Sequence, residues 1–230
     1  MKRFLLVFVL FVVVGIFAKP AKVFIVNLFN ESVDVRLGES DNPVVHKYNL
    51  KPYSSTKLAR TEKYGDYILY FKLSDSLNWY RWADEDGNVL YCSVKKDKNY
   101  CILIGNDGGI NYYSLSEDNE KGPKIAFLNG SDKRVKRMEI SKKWKDNVQA
   151  YCVDFDPNDL SNLVSFKKGN YSMFWQFPSQ VKEDDYYYYP NEERTGPEVF
   201  KFVDGEYDLF LIYSIGDSEY GILYEITPQD

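Results

Sequence analysis

The sequence has little of the residue chemistry on which most enzymes depend. Its 230 residues include one histidine, His46, and three cysteines. It contains no Gly-x-Ser-x-Gly nucleophile motif, no phosphate-binding glycine loop and no Cys-x-x-Cys pair. Any catalytic triad or imidazole–metal site would have to use His46 alone, so we assign no catalytic residue, no metal ligand and no cofactor. These absences predict a protein that is not an enzyme.

The chain also lacks a basic surface and, after residue 18, a long apolar run. Lys and Arg number 29 against 34 Asp and Glu, a formal net charge of −5, which argues against nucleic acid as a partner. The exception is the N-terminus, where Met1-Lys2-Arg3 precedes an apolar run from Phe4 to Phe17 and then Ala18. This pattern predicts a signal peptide over residues 1–18, cleaved after Ala18, and a periplasmic or secreted protein without a transmembrane segment. A retained membrane anchor is the alternative, although the run is shorter than the ~20 residues that a span requires.

A short glycine–tyrosine motif is what the sequence does have, three times over. It reads Gly65-Asp66-Tyr67, Gly169-Asn170-Tyr171 and Gly205-Glu206-Tyr207, each followed by an apolar run, and Asn99-Tyr100 begins a fourth copy without glycine. A glycine, a polar residue and then alternation from a tyrosine are typical of a tight turn that leads into a strand. Tyr67 pairs with Tyr171 at an offset of 104 residues, and Tyr100 with Tyr207 at an offset of 107.

Other landmarks repeat at nearly the same distance. Asn27 and Asn129 each end an apolar run, and the Gly109-Ile110-Asn111-Tyr112 stretch matches Gly221-Ile222-Leu223-Tyr224. Offsets that drift only from 102 to 112 residues indicate an internal duplication. We therefore expect one copy over about 21–115, a second over 124–227, and a linker over 116–123.

Short apolar runs, rich in β-branched and aromatic residues, are separated by turn sequences such as Glu85-Asp86-Gly87-Asn88 and Asp204-Gly205. No long stretch has the 3.6-residue period of a helix. This pattern predicts an all-β protein of two tandem antiparallel β-sandwich domains of the immunoglobulin-like kind. The glycine–tyrosine motif would begin two central strands in each domain.

The cysteines give one further expectation. A two-residue turn at Lys96-Asp97 would place Cys92 opposite Cys101 in a non-hydrogen-bonded pair, whose close Cα atoms can accept a disulfide. An exported protein reaches an oxidising compartment in which such a bond persists. The alternative is two ordinary buried thiols. Cys152 has no partner, and we interpret it as a small buried apolar residue.

Two aromatic clusters lie 107 residues apart, each just after the first glycine–tyrosine strand of its copy. In an extended segment, side chains alternate between faces, so at least two tyrosines of the second cluster should be exposed or meet the other domain. Amphipathic aromatics on a sheet surface suit sugar rings or a protein partner. The alternative is that they form the domain interface or cap a core. The candidate ligand- or partner-binding residues are Trp79, Tyr80, Trp82, Tyr186, Tyr187, Tyr188 and Tyr189.

A family resemblance rests on several of these motifs taken together. In order, they are Val23 to Asn27, Val33-Asp34-Val35-Arg36-Leu37-Gly38, Leu50 to Ser55, Gly65-Asp66-Tyr67 and Tyr100 to Gly105. They resemble the small exported β-sandwich domains of the alginate O-acetylation accessory family (AlgF-like), and related exported domains of unknown function. Members of that family carry tandem copies behind a signal peptide.

The resemblance implies a non-enzymatic periplasmic adaptor that assists O-acetylation of an exported polysaccharide. Its partners would be envelope proteins of an acyl-transfer machinery, the polysaccharide, or both. The second copy departs from the pattern with Lys133-Arg134-Val135-Lys136-Arg137, and no catalytic residue can be carried over. The alternative is a carbohydrate-binding or cell-surface structural module unrelated to acetylation.

Overall fold

The described chain is built of strands joined by turns and loops. The computed structural model describes residues 19–105, 109–117, 120–180, 182, 185–190 and 192–227. Strands are its regular elements across these ranges, which confirms the predicted all-β class. The predicted signal peptide over residues 1–18 lies outside the described residues. Within them, no helix has the length and apolarity that crossing a membrane requires.

The strands fall into two consecutive sets, which we call the N-terminal and C-terminal halves. The first set is β1 (Ala21–Asn27), β2 (Val33–Glu39), β3 (Asn42–Leu50), β4 (Ser54–Ser55), β5 (Ala59–Thr61), β6 (Gly65–Leu73), β7 (Tyr80–Arg81), β8 (Cys92–Val94), β9 (Asn99–Ile104) and β10 (Ile110–Leu115). The second set is β11 (Lys124–Gly130), β12 (Val135–Ser141), β13 (Ala150–Phe155), β14 (Val164–Ser165), β15 (Gly169–Gln176), β16 (Tyr187–Tyr188), β17 (Phe200–Phe202), β18 (Tyr207–Ile215) and β19 (Ser218–Glu225).

Each half contains two sheets, and the strand order of the first half recurs in the second. One sheet runs β10-β9-β1-β4 in the N-terminal half and β19-β18-β11-β14 in the C-terminal half. We call these the inner sheets. The outer sheets run β3-β2-β6-β7 and β13-β12-β15-β16, with β8 added to β6 and β17 added to β15. All four strands predicted from the tyrosine motifs, β6, β9, β15 and β18, have neighbours on both sides.

The expectation of purely antiparallel sheets is wrong at one pair in each half. β1 runs parallel to β9, with Lys22 opposite Asn99, and β11 runs parallel to β18, with Lys124 opposite Tyr207. Parallel pairing is typical of strands that are buried on both faces. The four strands of these pairs meet that condition.

Three apolar clusters hold the sheets together. One lies between the inner and outer sheets of the N-terminal half, and a second lies between those of the C-terminal half. A third, the shared cluster, joins the two inner sheets, with residues such as Phe24, Val26, Leu128 and Leu211 from both halves. The layers therefore follow the order outer, inner, inner, outer. In β1, residues alternate between the N-terminal cluster and the shared cluster.

The glycine–tyrosine motif has a steric explanation. Gly65 and Gly169 have φ values of 150° and 158°, a region that glycine adopts easily. A Cβ on Gly169 would lie 2.7 Å from the hydroxyl oxygen of Tyr171, because the tyrosine ring folds back over the glycine. In the N-terminal half, the Tyr67 hydroxyl donates to the carbonyl oxygen of Tyr64 at 3.2 Å. The motif therefore fixes where β6 and β15 begin.

The predicted Cys92–Cys101 disulfide is not formed, and all three cysteines are free. The turn at Lys96-Asp97 exists, but it does not join a hairpin: β8 pairs with β6 of the outer sheet, whereas β9 pairs with β1 and β10 of the inner sheet. Cys92 therefore packs in the N-terminal cluster and Cys101 in the shared cluster. Cys152, expected to be buried, is half-buried.

Glu117, in the predicted linker, ties together strands of both halves. Its carboxylate accepts hydrogen bonds from Lys22 Nζ at 2.9 Å, Asn99 Nδ2 at 2.8 Å and the Tyr207 hydroxyl at 2.6 Å. Desolvation raises the pKa of Glu117, but these hydrogen bonds together outweigh it and hold the pKa below its ordinary value. Linker residues 118–119 lie outside the described residues.

The repeated asparagines have one structural role. Asn129 Nδ2 donates to the carbonyl oxygens of Lys133 and Phe155 at 2.8 and 3.1 Å, and its Oδ1 accepts from the Ser131 backbone N–H. Asn27 makes the corresponding bonds in the N-terminal half. Each fully buried amide thus fixes the turn after the first strand of its half to the end of the third strand.

We expect Asn129→Ala to lower the free energy of unfolding by about 3 kcal/mol, because several buried backbone groups lose their partner. Chemical denaturation measures the change. The control is Asn42→Ala at an exposed position at the start of β3, which should change stability by less than about 0.5 kcal/mol. Equal effects of the two substitutions would contradict the role of Asn129.

A buried acid, Asp208, occupies β18. The sequence alignment of the two halves matched Tyr207 with Tyr100. The strand pairing instead matches Tyr207 with Asn99, and so it matches Asp208 with Tyr100. A shift of one residue exchanges the two faces of a strand. Asp208 is 5% exposed and its Oδ2 has no hydrogen-bond partner among the described residues. Desolvation raises the pKa of Asp208 to about 8, and Glu206 and Glu225 add to the rise.

We expect Asp208→Asn to stabilise the protein in a pH-dependent way. The unfolded carboxyl ionises near pH 3.9, whereas the folded one keeps its proton up to about pH 8, so wild-type stability falls as the pH rises between these values. Asparagine cannot ionise. The increase in the free energy of unfolding of Asp208→Asn over wild type should be near zero at about pH 4 and reach the order of 3 kcal/mol at about pH 7.

Denaturant unfolding of both proteins across this pH range measures the difference. The control, Asp217→Asn, lies at an exposed turn and should show no such trend. A stability difference for Asp208→Asn that is constant with pH would show that the native carboxyl is already ionised.

Candidate functional site

A pocket rich in tyrosine opens in the C-terminal half, where β16 of the outer sheet faces β18 and β19 of the inner sheet. Its volume is about 560 Å³, within the range of pockets that bind small organic ligands. We call it the tyrosine pocket. The lining residues that matter below are Trp175, Tyr187, Tyr188, Tyr189, Arg194, Tyr213, Glu219, Tyr220 and Gly221.

The pocket depends on the packing of Trp175 against Gly221. A Cβ on Gly221 would lie 2.7 Å from Cζ3 of the Trp175 indole. Gly221 of β19 pairs with Ile212 of β18. The corresponding pair in the N-terminal half is Ile110 with Ile104, so Gly221 takes the place of an isoleucine. Because glycine has no side chain, the indole can lie directly against β19.

Tyrosine rings form the walls. Tyr187 stacks on Trp175, with ring centroids 5.9 Å apart and planes 17° apart. Tyr213 stacks on Tyr220 at 5.7 Å and also on Tyr53 of the N-terminal half at 5.3 Å. Tyr187 and Tyr220 remain 43% and 45% exposed. The pocket therefore presents large aromatic surfaces whose packed sides hold them in place.

The polar groups of the pocket have unused hydrogen-bonding capacity. Trp175 is 2% exposed, and its Nε1 has no hydrogen-bond partner among the described residues. Within the same part of the chain, the hydroxyls of Tyr187, Tyr189 and Tyr220 make no hydrogen bond either. Desolvation raises the pKa of Tyr213, so its hydroxyl stays neutral. Neutral hydroxyls can both donate and accept.

Two charged residues flank the aromatics. Glu219 is held by Lys133, whose Nζ lies 2.8 Å from Oε1, and by the Ser214 hydroxyl at 2.7 Å. The hydrogen bond and charge of Glu219 raise the pKa of Lys133. Arg194 is exposed and has a left-handed backbone, with φ of 55°. The pocket thus combines the carboxylate of Glu219, whose charge is paired with Lys133, with the exposed guanidinium of Arg194.

The structure divides the second predicted cluster between two surfaces. Tyr187, Tyr188 and Tyr189 line the tyrosine pocket, whereas Tyr186 stacks on Trp144 with centroids 5.0 Å apart. Tyr187 is exposed and the other three are half-buried. One tyrosine of the four is therefore exposed, whereas the expectation was that at least two would be exposed or would meet the other domain.

The first predicted cluster occupies the corresponding place but forms no part of the pocket. Tyr80 stacks on Phe71 at 5.7 Å, just as Tyr187 stacks on Trp175. Trp82 packs against the N-terminal cluster. Trp79 lies under the guanidinium of Arg36, 4.0 Å from its ring centroid. These residues have packing partners within their own half.

Several pocket residues were not identified from the sequence. Trp175, Tyr213 and Tyr220 lie in or beside ordinary strand patterns, and Arg194 follows a turn. The one available signal was Gly221, a glycine inside a strand, which often marks close approach of another group. In the sequence pattern, Gly221 indicates only a landmark of the repeat.

The pocket chemistry suits binding. Aromatic faces can cover the C–H groups of a sugar ring, while hydroxyls and an indole N–H bond its hydroxyls. Among the described residues, no group of three His, Cys, Asp or Glu side chains could hold a metal ion.

We expect Gly221→Ala to displace the Trp175 indole, since the new Cβ would also lie 3.1 Å from the Phe210 ring. Overpacking of this kind costs about 1–3 kcal/mol. Near-UV circular dichroism and denaturation should both change. Gly196→Ala is the matched control, because its Cβ would meet nothing within 4 Å. An unchanged near-UV spectrum for Gly221→Ala would contradict the described packing.

Comparison with known proteins gives no family. No protein-family model matches the chain, and no curated protein matches it. Among solved structures, the chain is similar to the tip fimbrial protein Mfa3 from Porphyromonas gingivalis, with 8% identity and a TM-score of 0.27, over 89% of this chain and 98% of that one. It is also similar to a candidate cell adhesion protein from Bacteroides fragilis, with 7% identity and a TM-score of 0.25, over 90% and 97% of the two chains. These neighbours are β-rich surface proteins, and values this low carry no functional inference.

Proposed function

We propose that this protein is an exported, non-enzymatic surface module that binds carbohydrate in the tyrosine pocket. The observation that carries the proposal is an aromatic pocket lined by Trp175, whose buried Nε1 has no hydrogen-bond partner among the described residues. A buried donor without a partner costs about 1–3 kcal/mol. A small rotation of the indole on ligand binding would bring this N–H to a ligand hydroxyl and remove that cost. Native structures contain few such groups, so each calls for an explanation.

The mixture of aromatic and hydroxyl groups favours a sugar over a purely apolar ligand. Tyr187 and Tyr220 expose ring faces, and their hydroxyls are available to a ligand. A sugar presents apolar C–H faces and a rim of hydroxyls, which matches both features. Glu219 is already neutralised by Lys133, so the pocket does not require a cationic ligand.

The architecture supports the same proposal. We infer that the two halves are tandem immunoglobulin-like sandwiches that arose by duplication over about 21–115 and 124–227. The predicted signal peptide would export them to the periplasm or the cell surface. In such a module, rigid sheets hold the binding residues in place, and the pocket forms where sheet edges meet.

The adaptor role in polysaccharide O-acetylation remains a prediction from the family resemblance. The residues that carry that resemblance have structural roles here: Asn27 fixes a turn, and Gly65 with Tyr67 begins β6. They give no evidence about an acyl-transfer partner. The pocket is therefore the stronger basis for a function.

Binding of the mature protein to an array of oligosaccharides, followed by titration calorimetry of the hits, tests the proposal. Tyr187→Ala and Tyr220→Ala should each weaken binding by about tenfold or more, because each removes an exposed ring face. Tyr91→Ala, at a residue 55% exposed in the other half, is the matched control. Failure of every oligosaccharide to bind, or equal affinity in all variants, would overturn the proposal.

A further inference from the structure

The outer sheet of the C-terminal half carries a second aromatic surface beside the tyrosine pocket. Trp144 stacks on Tyr186 with planes 22° apart, and both rings pack on Phe174, which is 2% exposed. Tyr151, on the edge strand β13, is 57% exposed. We call Trp144, Tyr186 and Tyr151 the outer aromatic surface.

A partly buried ion pair between Arg137 and Glu139 holds this surface in place. The Arg137 guanidinium lies 5.9 Å from the centroid of the Trp144 ring and 4.7 Å from that of Tyr151. Its Nε donates to the fully buried carboxylate of Glu139, which also accepts from the Ser141 hydroxyl and the Lys145 backbone N–H, each at 2.7 Å. Glu139 thereby joins the strand that carries Arg137 to the loop that carries Trp144.

The outer aromatic surface and the tyrosine pocket meet at β16. Tyr187 stands opposite Trp175, on the face of the sheet that the pocket occupies, and Tyr188 stands opposite Phe174, on the face of the outer aromatic surface. Tyr188 nevertheless lines the tyrosine pocket. β16 therefore contributes residues to the lining of the pocket and to the outer aromatic surface. Adjacent residues, Tyr186 and Tyr187, belong one to each surface.

From this continuity we infer that the ligand is a linear polysaccharide, bound by an internal segment that runs from the tyrosine pocket over β16 to the outer aromatic surface. The inference rests on the proposed function and extends it, because it names the length of the ligand. A pocket of about 560 Å³ is of the size that accepts more than one sugar ring. Further rings would then stack on Trp144 and on Tyr151.

The dependence of affinity on chain length tests this inference. The probes are two ladders of oligosaccharides from two to eight units, one of neutral β-1,4-linked glucose and one of acidic β-1,4-linked mannuronate, titrated calorimetrically into the mature protein. For the ladder that binds, affinity should rise about tenfold between the disaccharide and the hexasaccharide. Trp144→Ala should abolish that rise and leave the disaccharide affinity within about twofold of wild type.

Controls separate loss of contact from loss of fold. Tyr151→Ala changes an exposed side chain on an edge strand and should reduce the affinity of the longer probes in the same direction, while Trp144→Phe should restore part of it. Near-UV circular dichroism checks the packing of each variant, and Tyr91→Ala again serves as the remote control.

The outcomes distinguish this inference from the proposed function. Binding that is complete with the disaccharide and equal in wild type and Trp144→Ala at every length would overturn the inference and leave the carbohydrate pocket standing. Binding of neither ladder at millimolar concentrations would overturn both. Affinity that rises with chain length in wild type but not in Trp144→Ala would support both the inference and the proposed function.

Discussion

The packing of the two inner sheets against each other is the constraint on which the rest of the structure depends. β1, β9, β11 and β18 are buried on both faces, because one face of each meets its own outer sheet and the other meets the shared cluster. Such strands must be apolar at nearly every position, and they form the parallel pairs of the fold. Glu117 adds a polar connection beside this apolar contact, with bonds to Lys22, Asn99 and Tyr207.

The same architecture gives two halves with different surfaces. At corresponding positions the N-terminal half has Phe71 and Ile110, and the C-terminal half has Trp175 and Gly221. Ile110 fills the space at the sheet edge, whereas Gly221 leaves room for the larger indole and for the pocket beside it. These two differences therefore account for the room that the Trp175 indole and the pocket beside it occupy in the C-terminal half.

The sequence predicted the features that depend on local pattern. The all-β class follows from short alternating runs, and the starts of β6 and β15 follow from Gly65 and Gly169, whose backbone favours glycine. The sequence failed where partners are chosen at long range. Since both faces of β9 are buried, alternation could not show that Cys101 faces away from Cys92, or that Tyr207 corresponds to Asn99. The pocket was only partly predicted, because Tyr213 and Tyr220 reach it from another sheet.

Trp175 shows why the pocket differs from ordinary packing. Stacking on Tyr187 would be available to a phenylalanine, as Phe71 with Tyr80 demonstrates in the other half. Tryptophan brings an additional N–H, and burial usually requires a partner for it. No described residue provides one. An apolar ring at this position would avoid the cost of the unpartnered donor, and the proposed carbohydrate function supplies a partner for it.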